Sequence, residues 1–396
     1  MSIGTAFYPR TSQLNRKLAW GEWAGYHSAA RYADFHDIEY NAIREAAAAI
    51  DATPLYKYIV SGPDAERLLD RVMTRNISKL AVNQVAYTPW CDEHGKVVDD
   101  GTLTRLDETT YRVTSADPSY RWFRMNAGWL DVEVVDVSER LAALALQGPL
   151  SRNILEAATG REWSDVRYFR RRPSAIGDIE VDVTRTGYTG DLGYELWVDA
   201  GRAVDMWDRL FEAGEDYGLR PVGIQALDVC RVEAGLILIE VEYTSARHAM
   251  TPEQNYSPFE IGLGRMVHFD KPDFVGKRAL EAERKAGGPA RRLVGLEIDW
   301  NSIERLFAKA DLPPMVSPVV SRESTPLFRD DRQIGKVTSH TWAPNLKKMI
   351  GLASVGRAHT DLGTRLRMEW WVEGHRGTVG AAVVPLPFFD PPRKRA

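Results

Sequence analysis

The sequence predicts an α+β fold closed by a separate antiparallel β domain, and three observations predict it. A strand running into Gly-Pro and then a helix occurs twice, at Gly62-Pro63 and at Gly148-Pro149. Helical faces and strand-like alternation are interspersed through the first 285 residues, and short strands separated by turns fill the rest. The 396 residues suffice for two or three domains with sizeable cores.

Taken in order, residues 38–49 have helical composition. Tyr58, Ile59 and Val60 then lead into the first Gly-Pro, where proline at the first helical position has a preset φ and lacks only an N–H that would be unpaired anyway. Strands are expected around 84–88, 97–106 and 111–115. The second Gly-Pro follows Leu144, Ala145 and Leu146 and starts a helix that stops at Gly160. Ile179, Val181 and Val183 alternate in strand fashion, and 202–217 is a helix with Val204, Trp207, Leu210 and Phe211 on one face. A helix over 277–285 and a Gly287-Gly288-Pro289 break precede strands at 293–298, 334–339, 349–355, 365–371 and 377–385. The expected division is a core of two interleaved α+β lobes over 1–285 and a barrel or jelly-roll-like domain over 286–396.

Charge and motifs exclude several functions. Lys and Arg number 51 against 55 Asp and Glu, a net −4 with no basic face, so neither nucleic acid nor a membrane is an expected partner. No apolar run is long enough for a membrane span, and the first residues lack a leader pattern, which reads as a cytoplasmic protein. Two cysteines make no disulfide framework, and the eight histidines show no metal-ligand spacing, so no metal is expected. The P-loop, the nucleophile elbow and H-E-x-x-H are absent. A small molecule is the expected partner.

Two stretches carry unusual chemistry. Residues 185–196 (RTGYTGDLGYEL) place three glycines at intervals of three before Glu195. That pattern makes either a tight β connection or a cradle in which tyrosines wall a ligand and a carboxylate accepts paired N–H donors. In residues 95–103 (GKVVDDGTL) adjacent carboxylates interrupt an apolar strand. Either Asp99 or Asp100 then points inward, where a carboxylate must be hydrogen-bonded or chemically employed, unless both cap a turn.

Together with Ser61-Gly62-Pro63-Asp64-Ala65, Ala145-Leu146-Gln147-Gly148-Pro149, Cys230-Arg231-Val232-Glu233-Ala234-Gly235, Pro258-Phe259-Glu260-Ile261-Gly262-Leu263 and Asp273-Phe274-Val275-Gly276-Lys277, these stretches resemble the glycine-cleavage T-protein (aminomethyltransferase) family and its tetrahydrofolate-dependent demethylase relatives. The resemblance implies two α+β lobes and a C-terminal β domain around a central hole for tetrahydrofolate. It implies that Glu195 holds the pterin, that Tyr87, Tyr188 and Arg231 contact the folate, and that Asp100, with Asp99 as its neighbour, is catalytic. The chain departs from T-proteins on the donor side: the family histidine after the first lobe's opening is absent, and Leu227 stands where the G-x-x-A-R-D segment has arginine.

Aromatic residues crowd the first sixty positions, and Trp23, Tyr26, His27 and Tyr56 are candidate walls for a methylated donor, by packing or cation–π attraction. The expected function is therefore a tetrahydrofolate-dependent demethylase or methyltransferase acting on a small methoxyarene, methylamine or sulfonium, with no carrier-protein partner. The alternative is a glycine-cleavage aminomethyltransferase, and the third reading is a non-catalytic folate-binding assembly protein.

Overall fold

Both Gly-Pro devices form, each with its glycine at positive φ. The strand Tyr56–Ser61 turns at Gly62 (φ 123°) into the helix Ala65–Val72, and Leu141–Gln147 turns at Gly148 (φ 118°) into Ser151–Thr159. The second helix ends at Gly160 in the left-handed conformation. These elements belong to a computed structural model that describes residues 2–396.

Each device sits in its own sheet. The first lobe is a six-stranded sheet in the order Arg171–Ile176, Ile179–Thr184, Gly193–Asp199, Leu141–Gln147, Ala47–Asp51, Leu219–Pro221. Its neighbours are antiparallel except the last pair, and Ser151–Thr159 and Ala203–Ala213 cover one face over a core containing Trp163, Leu196 and Trp207. The second lobe orders Val85–Cys91, Val97–Arg105, Thr110–Ser115, Tyr56–Ser61, Glu133–Asp136 under the helices Ala65–Val72 and Tyr120–Ala127. Because Ala47–Asp51 pairs within the first sheet before the chain enters the second, the lobes interleave. The third unit is a closed barrel of six strands, Arg291–Ile298, Lys348–Gly356, Arg332–Ala343, Thr325–Arg329, Arg365–Val372 and His375–Val384. The α+β class and the C-terminal β domain are those the sequence predicts.

One expected element is corrected. The helix over 38–49 is His36–Glu45, and Ala47–Asp51 is a buried strand. Alanine favours helix by under about 1 kcal/mol per residue, whereas here Leu141–Gln147 and Leu219–Pro221 offer a ladder on both sides. The hairpin of Trp20–Trp23 with Tyr26–Ala29 and the helices Tyr120–Ala127, Ile224–Glu233 and Trp300–Ala308 carry no strong pattern in the sequence. Among the described residues no helix is long and apolar enough to cross a membrane. Both cysteines are free and buried.

Candidate active site

The paired aspartates lie in the strand Val97–Arg105, where period-two alternation sends them to opposite faces. Asp99 is fully buried and structural in its contacts: Oδ1 accepts the Asp100 N–H at 2.8 Å and Oδ2 the Asp117 N–H at 3.0 Å. Asp100 is half-buried and accepts a hydroxyl on each oxygen, Tyr87 on Oδ2 and Tyr243 on Oδ1. Burial raises both carboxyls above the usual range, and Asp99 is raised further by the charge of Asp100. The two tyrosine hydroxyls pull Asp100 back toward ionisation. Burial and the Asp100 charge in turn hold Tyr87 and Tyr243 firmly protonated, so both remain donors.

The glycines of 185–196 serve an internal partner. A Cβ on Gly187 or Gly193 would fall 2.0 Å and 2.3 Å from the Gln147 side chain. Its buried amide donates to the Thr186 and Tyr194 carbonyls and accepts from the Thr189 hydroxyl. That lock sets Thr186 against Glu195. Glu195 Oε2 accepts the Thr186 hydroxyl at 2.6 Å and that of Thr184 at 3.4 Å, while Oε1 accepts nothing from the described residues. Burial raises the Glu195 carboxyl, against the pull of those hydroxyls and of Arg112. Tyr188, two residues beyond Thr186, donates to the Ile237 carbonyl and lies near enough to Tyr87 and Asp100 to feel their charge. Tyr188 thus sits beside the Tyr87–Asp100 pair, while Glu195 is reached from the same loop through Thr186.

A strap over 236–246 joins all three units at this point. Ile237 takes Tyr188 of the first lobe. Tyr243 reaches Asp100, and the Ser245 hydroxyl donates to the Val98 carbonyl at 2.6 Å, both in the second lobe. Glu242 is fully buried and accepts Ser339 (2.5 Å) and Thr338 (3.1 Å) of the barrel.

Arg231 requires a correction. It is buried and spent on the protein: Nε donates to Asp228 at 2.7 Å, Nη1 to Glu242 at 2.7 Å and Nη2 to Ser339 at 2.8 Å. A guanidinium with all three nitrogens engaged ties the helix Ile224–Glu233 to strap and barrel and has no fork left for a folate. His27 lies on the hairpin of Trp20–Trp23 with Tyr26–Ala29. In the hairpin it shares a face with Trp20, and its ring packs on Tyr8 and Trp20 at 6.0 Å and 6.1 Å. Trp23 and Tyr26 face the other way, directly paired. Tyr26 lies within electrostatic reach of Tyr56, and Tyr56 of Asp117, whose N–H caps Asp99.

Sequence reasoning did not find Tyr243, Glu242 or Gln147 as parts of the site. The first two lie in an aperiodic loop and acquire meaning only through contacts across the fold. Gln147 carried one usable signal, its place before Gly148-Pro149 and opposite Gly193. The fold also gathers Asp117, Glu240 and His248, from segments 123 residues apart, with candidate ligand atoms within 4.8 Å of one another.

Two family models cover almost the whole chain: the GCVT N-terminal domain matches residues 10–271, and the glycine cleavage T-protein C-terminal barrel domain matches 291–390. The chain belongs to the glycine-cleavage T-protein family. It is 36% identical over 370 residues to the trimethylamine-oxide aldolase of Ruegeria pomeroyi, covering 90% of this chain and 43% of that relative, so it spans less than half of that protein. It is 35% identical over 335 residues to the aminomethyltransferase of Caldanaerobacter subterraneus subsp. tengcongensis, covering 83% of this chain and 82% of the relative. The crystal structure of aminomethyltransferase T from Bartonella henselae superposes with a TM-score of 0.83 at 23% identity, over 98% of this chain and 99% of that one, and this likeness shows the fold. The family's chemistry is folate-dependent one-carbon transfer.

Proposed function

We propose that this member of the T-protein family transfers a one-carbon unit from an amine nitrogen to N5 of tetrahydrofolate, and that the aminomethyl group is the first donor to test. The observation that carries the folate half is Glu195: its Oε1 is open while Oε2 is fixed by two threonines, which suits the adjacent N–H donors of a pterin edge. Tyr87 and Tyr188, which lie by Asp100, are the aromatic faces for the ring system to pack on. Bound tetrahydrofolate would supply the nucleophilic nitrogen that takes the carbon.

The chain's own groups then orient and manage a proton. Asp100, held by Tyr87 and Tyr243, is fixed in direction, and burial raises its carboxyl against the pull of those hydroxyls, which suits it to hold or release the proton of a folate nitrogen. Positioning donor carbon and nitrogen is the larger contribution, since effective molarities reach about 10⁵–10⁸ M. The aminomethyltransferase relatives support the aminomethyl donor.

A second reading, a free methylated amine, is favoured by Leu227. It packs in an apolar cluster with Ile43, Val222 and Val229, where the family's G-x-x-A-R-D segment carries a cation. It is also supported by the relative that acts on trimethylamine oxide. One experiment separates the two. The protein is incubated with tetrahydrofolate and either aminomethylated lipoyl carrier protein or a panel of methylated amines. Ammonia with methylene-tetrahydrofolate from the carrier supports the first; one-carbon folate from a free amine alone supports the second. No product from either, with folate bound, sinks both.

A further inference from the structure

The C-terminal barrel carries a cavity of about 450 Å³ that the transfer site does not use. It lies between the barrel strands Arg332–Ala343 and Arg365–Val372 and the segment 312–321 laid across them. That segment is pinned at one end by paired backbone hydrogen bonds between Ser321 and His340, at 2.9 Å and 3.1 Å. A volume of this size lies in the range of small-molecule sites.

The lining is largely apolar; the hydroxyls of Ser317, Thr325 and Thr341 bond carbonyls of their own segments, at Val319, Glu323 and Trp342, which leaves His340 as the buried polar group without a partner. Met315, Met349, Met368, Phe307 and Trp370 supply soft and aromatic walls suited to a flat ring. The His340 ring lies 5.6 Å from that of Trp370, and its Nδ1 has no hydrogen-bond partner among the described residues. Nδ1 is sealed from solvent, so Nε2 is the nitrogen a ligand can reach. Burial lowers the imidazole pKa to about 4, and it stands neutral at physiological pH. Among the described residues no lysine or arginine lines the cavity. Of its two carboxylates, Glu369 is committed to Arg376 at 2.6 Å and Trp371 at 3.0 Å, and Glu373 is exposed at the rim.

We propose that this cavity binds a neutral aromatic molecule carrying one hydrogen-bonding substituent, of the phenol class, with the ring between the methionines and Trp370 and the hydroxyl on His340. Without a cation in the wall, carboxylated rings are excluded.

The probes are 4-methylphenol, toluene and benzoate, titrated into the full chain by calorimetry. A net hydrogen bond corresponds to about a three- to tenfold change in affinity. The expected result is 4-methylphenol binding tighter than toluene by that factor, with no benzoate binding. His340→Leu should bring 4-methylphenol to the level of toluene. Met315→Trp, at a position 76% exposed and so safe for folding, should plug the cavity and abolish binding of both. The proposal is overturned by no binding at millimolar probe, by benzoate binding as well as 4-methylphenol, or by affinities that neither substitution changes.

Discussion

At the scale of the residue, Asp100 and Glu195 divide the work that the geometry allows. Asp100 must be ionised to take a proton, and its carboxyl is raised by burial, so its basic form is lost as pH falls through a value above the ordinary carboxylate range. The turnover rate should therefore fall on the acid side at a higher pH than a free carboxylate would dictate. Asp100→Asn should lower kcat by about 10²–10⁴-fold and remove that limb, with a smaller change in folate affinity. Glu195→Ala should do the reverse. Loss of a charged acceptor costs about 1.5–3 kcal/mol, so the dissociation constant for tetrahydrofolate should rise about tenfold or more with kcat less affected. Equilibrium binding and steady-state rates over pH test both. The inward carboxylate was legible because adjacent acids in a strand cannot share a face. Which of the two stays accessible depends on the Asp117 loop, which no local pattern announces.

At the scale of the element, the segment after Thr184 shows how far spacing can be read. Three glycines at intervals of three correctly signal a close approach, but the approaching groups belong to the protein: the Gln147 amide at Gly187 and Gly193, and Ala234 at Gly190. Gly187→Ala should expel that amide, leaving buried polar groups unpaired at about 1–3 kcal/mol of stability and loosening Thr186 from Glu195. Urea unfolding should show a lower midpoint at unchanged m, together with weaker folate binding. Gly187→Ala combined with Gln147→Ala should regain part of the midpoint, because the amide that clashed is gone. If the single variant unfolds like the parent, the lock is not as described. The strand Ala47–Asp51 illustrates the opposite limit, since its alanines read locally as helix and only the neighbouring strands make them sheet.

At the scale of the whole molecule, the joints between units are made by buried charge, and this gives stability a sign against pH. Lys57, on the second-lobe strand Tyr56–Ser61, is fully buried. Its Nζ donates to the Thr53 carbonyl at 2.5 Å near Asp51 of the first sheet. Burial lowers its pKa to about 8, whereas in the unfolded chain a lysine titrates near 10.4. Below pH 8 both states carry the proton and the folded state bears the full cost of burying the charge. Between pH 8 and about 10.4 the folded protein has released the proton while the unfolded chain keeps it, so the unfolding free energy rises with pH. From pH 7 to 9.5 the gain is at most about 2 kcal/mol, at 1.36 kcal/mol per pH unit above 8. Lys57→Met has no proton to release, so its stability should stay flatter over the same window. The difference between the two proteins isolates this group from the tyrosines and from Lys271, whose pKa is also lowered to about 8 beneath the carbonyls of Met73 and Arg75. Denaturant unfolding of both proteins at pH 7 and 9.5 measures it. Parallel curves would mean that Lys57 keeps its proton in the fold, and that Asp51 compensates the charge fully across the joint between the lobes.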